Sequence, residues 1–163
     1  MDIEAALDAV ISVFIRNPEI SSIQYQAEQN VIAIEMIITE NIDVQDNLMI
    51  CRNLEAALGM IHKLRGTEPK KLGIELNNQG NIGILVLRRD ALTLSEEEVD
   101  LYVQLAGQKF EAMLLRENDR NSLLKNRFDD IKKQLLQSLN QPDRLTRNIF
   151  AYRDRGKMFV FDR

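Results

Sequence analysis

Hydrophobic positions along the chain switch between helical and strand spacing in a repeating order. Over residues 2–16, Ile3, Leu7, Val10 and Phe14 recur at three- and four-residue intervals behind Asp2, a residue suited to an N-cap, so the spacing predicts an amphipathic helix. Asn17-Pro18 ends it, because a residue before proline is driven out of the helical region. The period then becomes two: Ile23, Tyr25 and Ala27 alternate with Gln24, Gln26 and Glu28. After the polar break Gln29-Asn30, residues 31–39 are rich in β-branched residues and apolar on both faces except at Glu35. A hairpin follows, with its second strand more central than its first.

The same order returns. Residues 41–65 form a second predicted helix with Asp43 as its cap, Leu48, Cys51, Leu54, Leu58 and Ile61 as its buried stripe, and Gly66 as its stop. Leu72, Ile74 and Leu76 alternate with Gly73, Glu75 and Asn77, and a turn at 77–81 leads into the apolar run 82–87. Two α-β-β units therefore place the chain in the α+β class, as a four-stranded antiparallel sheet with both helices on one face. Residues 1–92 are expected to be this domain and 93–163 a C-terminal helical extension. The second and fourth strands are apolar on both sides, so the far face of the sheet needs a cover, from the third helix or from another subunit.

The extension opens on a capping box, Ser95-Glu96-Glu97-Glu98. Val99, Val103, Ala106, Phe110 and Met113 then form a seam of about two heptads, a candidate packing or dimer surface. Polar residues 116–122 interrupt it, and Leu124, Phe128, Ile131 and Leu135 restore an apolar stripe. With no glycine or proline between, one long helix over 95–139 is predicted. Pro142 opens a short helix over 142–155 with Leu145, Ile149 and Tyr152 on one side, and Gly156 closes it. The apolar stretch 158–161 (MFVF) is a strand-like tail, expected to dock on a sheet edge or in a groove, since terminal residues are otherwise polar and frayed.

Composition narrows the class without naming a chemistry. At 163 residues, 45% hydrophobic and 28% charged, with 7 Gly, 3 Pro and 1 Cys, the chain is a folded domain and not a disulfide-stapled or low-complexity protein. The lone Cys51 in a helical pattern reads as a buried thiol. An acidic start and the lack of a long apolar run lead to the expectation of a cytoplasmic protein without a membrane segment. His62 is the single histidine, which excludes a multi-histidine metal site and H-E-x-x-H chemistry; near a helix end it reads as a cap or surface residue. No phosphate-binding glycine loop occurs. No catalytic residue, metal or cofactor is assigned.

Charge is divided. Residues 1–100 hold 8 basic and 17 acidic side chains, a balance of −9, whereas 101–163 hold 13 and 8, a balance of +5. Arg144, Arg147, Tyr152, Arg153, Arg155 and Lys157 gather around Phe150, a composition that suits a protein partner or nucleic acid. The leading expectation is a non-enzymatic homodimeric adaptor or sensory module acting by protein–protein contact; the alternative is a nucleic-acid or ribosome-associated protein using the cluster at 144–157.

Overall fold

The computed structural model describes residues 3–116, 148–154 and 157–162. The elements run α1 (Ile3–Arg16), β1 (Ile20–Gln26), β2 (Val31–Ile38), α2 (Val44–Arg65), β3 (Leu72–Gln79), β4 (Ile82–Asp90), α3 (Glu96–Phe110), a 3-10 turn (Glu111–Met113), β5 (Asn148–Asp154) and β6 (Lys157–Asp162). The class is α+β, with one antiparallel sheet in the order β3-β4-β2-β1-β5-β6.

Local signals explain most of the first ninety residues. Asn17 caps the end of α1 through its side-chain amide, which donates to the Val13 carbonyl. Asn30 turns the first hairpin in the left-handed region (φ 54°), where its short polar side chain accepts the Tyr25 hydroxyl. Gly66 ends α2 at φ 67°, and the Thr67 amide donates to the His62 carbonyl. Asp43 precedes α2 without a side-chain capping bond, so the sequence cap is absent there. Asn47 instead ties the first turn of α2 to β3 by donating to the Leu76 carbonyl at 2.6 Å.

Alternation along the strands sorts side chains into two buried layers. Ile23, Ile34, Met36, Ile74, Leu85, Leu87 and Ile149 meet Phe14 from α1, Leu54 and Leu58 from α2, and Val99, Tyr102 and Phe110 from α3. Ala33, Ile37, Ile82, Ile84 and Val86 point the other way and form a second cluster with Leu115 and Tyr152. The predicted double burial of the second and fourth strands is observed: Ile37 and Val86 on one face, Ile34 and Leu87 on the other, are each 2% exposed or less. This happens within one chain, so the far face makes no demand for a second subunit.

Three sequence expectations are corrected. The sheet has six strands, not four. The helix predicted over 95–139 ends at Phe110: Glu111 adopts φ 51°, and the chain becomes extended at Leu114, which bridges Ile38, while the Leu115 amide donates to the Ile37 carbonyl. Successive residues of extended chain point oppositely, so Leu114 enters the first cluster and Leu115 the second, both buried. That burial offsets the positive φ of Glu111, a sparsely populated conformation that costs on the order of 1–3 kcal/mol. Residues 117–139 lie outside the described residues.

The third correction concerns the helix predicted over 142–155. Residues 148–154 are strand β5, paired with β1. Ile149 and Tyr152 satisfy helical spacing, but Ile149-Phe150-Ala151-Tyr152 satisfies the two-residue period as well. Pairing along β1 selects the second: Ile149 and Ala151 enter the first cluster, and Tyr152 the second. The tail docks on a sheet edge, as expected, and does so in its own chain, with β6 paired to β5.

Candidate interaction surfaces and the buried charge cluster

Where α2 ends, β4 ends and α3 begins, four buried titratable side chains converge. Arg89 and Glu98 are fully buried; His62 and Asp90 are 4% exposed. His62 Nε2 donates to Glu98 Oε1 at 2.7 Å, and its Nδ1 bonds the Thr67 hydroxyl at 2.7 Å. Arg89 reaches Glu98 through Nε at 2.5 Å and Nη2 at 3.0 Å, the Lys71 carbonyl and Asp90 through Nη1, and the Thr93 hydroxyl through Nη2. Asp90 accepts further from the Lys71 amide and the Thr93 hydroxyl. Burial raises the Asp90 pKa, but the Thr93 hydroxyl, the Lys71 amide and Arg89 outweigh it and hold the carboxyl at about 2.

The reading of His62 as a cap or surface residue is therefore corrected. Its spacing in α2 points it inward, and both ring nitrogens of the single histidine are hydrogen-bonded inside the buried cluster. The capping box is also only half formed. Ser95 accepts the Glu98 amide, but the Glu98 carboxylate turns inward to Arg89 and His62. The cluster clamps three chain segments together and offers no opening to a substrate. Among the described residues, no group of three His, Cys, Asp or Glu side chains could hold a metal ion.

The apolar cavity under α1 is as uninviting to substrate. About 80 Å³ lies between Val10 and Val13 of α1 and Ile23, Tyr25, Ile32 and Ile34 of the sheet. Its polar rim, Ser95 and Glu96, is already bonded to the Glu98 amide and to Arg16. An ordinary small-molecule site is about 300–1,000 Å³ with several free polar groups.

Among the described residues, exposed apolar side chains gather in two places, apart from the single residues Ile15, Val44 and Leu92. The first is the outward side of α2. Ile50, Cys51, Leu54, Leu58 and His62 form its buried side, whereas Leu48, predicted in the buried stripe, is 57% exposed. Met49, Asn53, Ala56, Met60 and Leu64 are all exposed and spaced 4, 3, 4 and 4 residues apart, one continuous helix face. Beside it, Asn53 and Ala57 of α2 and Leu105 and Lys109 of α3 line an open groove of about 290 Å³. The sequence carried this signal as apolar residues on more than one side of the helix.

The second place is β6, the outermost strand. Phe159 and Phe161 are 38% and 37% exposed. Their rings stack on Tyr152 at centroid distances of 5.2 and 6.0 Å, with interplanar angles of 15° and 8°. Phe150 stands at 59° to the same tyrosine.

The sequence-derived candidates are distributed differently from their order in the chain. Val99, Val103, Ala106 and Phe110 of the seam pack in this chain's own core, with Met113 partly buried beside them. Of the basic and aromatic cluster, Tyr152 is buried under the phenylalanines and Lys157 is exposed at the start of β6. Arg153 is buried: Nε donates to the Ile20 carbonyl, and Nη2 to the Phe14 and Asn17 carbonyls, with the guanidinium 5.1 Å from the Phe14 ring. Arg144, Arg147 and Arg155 lie outside the described residues. Among the described residues, no helix is long and apolar enough to cross a membrane. No family model matches the chain, and neither a curated protein nor a solved structure does.

Proposed function

We propose that this chain is a non-enzymatic module that works by protein–protein contact as a homodimer. The observation that carries this reading is the row of exposed apolar side chains Met49, Ala56, Met60 and Leu64 on α2, broken only by Asn53, on a helix whose opposite side already fills the core. Contiguous exposed apolar surface is costly in water and marks interaction sites. The groove lined by Asn53, Ala57, Leu105 and Lys109 lies beside this row.

Two measurements test the proposal. Sedimentation velocity at micromolar concentration is expected to give a dimer, and a monomer throughout that range refutes the homodimer. Fluorescence anisotropy with labelled amphipathic helical peptides is expected to show binding that Met60→Glu and Leu64→Glu weaken at least tenfold. Binding unchanged by both substitutions removes α2 as the recognition face.

A further inference from the structure

Charge around the apolar row of α2 has one sign. Met49, Ala56, Met60 and Leu64 span about 22 Å of helix. Arg52 stands three residues after Met49 and four before Ala56, and Lys63 stands three after Met60, so both cations flank the row on one side. On the other side Lys109 of α3 lines the adjoining groove. All three are exposed, and among the described residues none of them makes a hydrogen bond or an ion pair. Arg16, Arg65, Arg88 and Arg89, by contrast, each meet a carboxylate of this chain. The carboxylates of α2 lie elsewhere: Asp46 sits in the first turn, ahead of the row, and Glu55 accepts the Ile74 amide of β3.

We propose that the partner of this face is an amphipathic helix with acidic residues bordering its apolar stripe, laid lengthwise on α2. The proposal rests on the α2 recognition reading above and names the class of partner. Exposed residues spaced 4, 3, 4 and 4 apart form a ridge along α2, and a second helix packs on such a ridge with its own apolar stripe. Carboxylates at the borders of that stripe then stand beside Arg52 and Lys63 on one side and Lys109 on the other. An acidic helix complements this pattern and a basic one opposes it. The open groove of about 290 Å³, lined by Ile50, Leu54, Ala57 and Leu105 as well as Lys109, continues the apolar surface toward α3. An anionic lipid surface suits the face less. Helices that lie in a membrane interface bring Trp, Phe or Leu on a broad apolar side, whereas this row holds no aromatic residue and is broken by Asn53.

Two labelled peptides of about 18 residues, long enough to cover the row, read the preference by fluorescence anisotropy. They share one leucine stripe and carry either glutamate or lysine along its borders. The glutamate peptide is expected to bind at least tenfold more tightly at low ionic strength, with the difference lost in about 1 M salt, where the screening length is about 3 Å. Arg52→Glu combined with Lys63→Glu is expected to reverse the preference while circular dichroism matches that of the parent chain. Equal binding of both peptides, still weakened by Met60→Glu, overturns the acidic partner and leaves α2 as a recognition face. A preference that survives the double reversal also overturns it. Binding to phosphatidylserine vesicles but to neither peptide replaces the helical partner by a membrane, and binding to none of these probes overturns the α2 reading as well. Should the double variant lose its helical signal, Lys63→Glu alone decides, with an expected drop of at least threefold in the preference.

Discussion

His62 Nε2 lies 2.7 Å from Glu98 Oε1, and the same carboxylate accepts two bonds from Arg89, with all three side chains buried. A buried ion pair gains little over apolar residues of equal volume, but removal of one partner strands the other. Arg89→Met leaves Glu98 and Asp90 without their cation, so a loss of about 3–5 kcal/mol is expected in urea titrations. Arg89→Met combined with Glu98→Leu is expected to recover part of it. A double variant less stable than Arg89→Met alone would contradict the clamp.

Asp90 makes stability depend on acid. Its folded pKa is about 2 against an ordinary 3.8, lowered by the Thr93 hydroxyl, the Lys71 amide and Arg89 against the opposing effect of burial. A depressed carboxyl favours the folded state above its unfolded pKa, and this contribution disappears as pH falls from about 4 to about 2. The shift is worth on the order of 2 kcal/mol. Urea midpoints of the parent chain are expected to fall across that window. In Asp90→Asn they should start lower and fall less, and parallel profiles would show that Asp90 is not the group responsible.

These two positions also mark what the sequence exposed and what it hid. The α-β-β repeat was legible because each helix and strand carries its own period and stop, such as Gly66 after α2 and Asn30 in the first hairpin. The inward turn of Glu98 was not, since a capping box and a buried salt bridge use the same residue at the same place. Residues 149–152 fit both periods, and only the partner strand β1 decides between them. Glu111 gives no local warning that α3 ends there, because burial of Leu114 and Leu115 on opposite faces is a tertiary gain. The α2 face was within reach, since Met49, Met60 and Leu64 exceed what one buried stripe needs.

Arg153 joins the C-terminal hairpin to the first turn of the fold. From β5 it donates to the carbonyls of Phe14, Asn17 and Ile20, and its guanidinium lies over the Phe14 ring. Hydrogen bonds from a charged donor contribute about 1.5–3 kcal/mol. Arg153→Leu keeps the apolar stem but leaves three buried carbonyls short of a donor. A loss of about 2–4 kcal/mol is expected by chemical denaturation, with hydrogen exchange accelerated along β5 more than along β3. Uniform acceleration across the sheet would show that Arg153 supports the whole core and not this junction.

Cys51 supplies a reporter of unfolding that requires no substitution. It is 8% exposed on the inner side of α2, with Sγ 3.6 Å from Asn47 Oδ1. Burial raises its pKa first, and the negative charges of Glu55 and Glu75 raise it further. Thiolate is the reactive form, so a raised pKa and a closed environment slow attack by a disulfide reagent together. At pH 8 the folded chain is expected to react with Ellman's reagent at least a hundredfold more slowly than the chain in 6 M urea. If opening is required, Arg89→Met accelerates the reaction in proportion to its loss of stability. Glu75→Gln, which removes a charge near the thiol without uncovering it, should change the rate far less. A fast reaction in the parent chain, insensitive to Arg89→Met, would mean that α2 lifts from β3 independently of the charge cluster at its end.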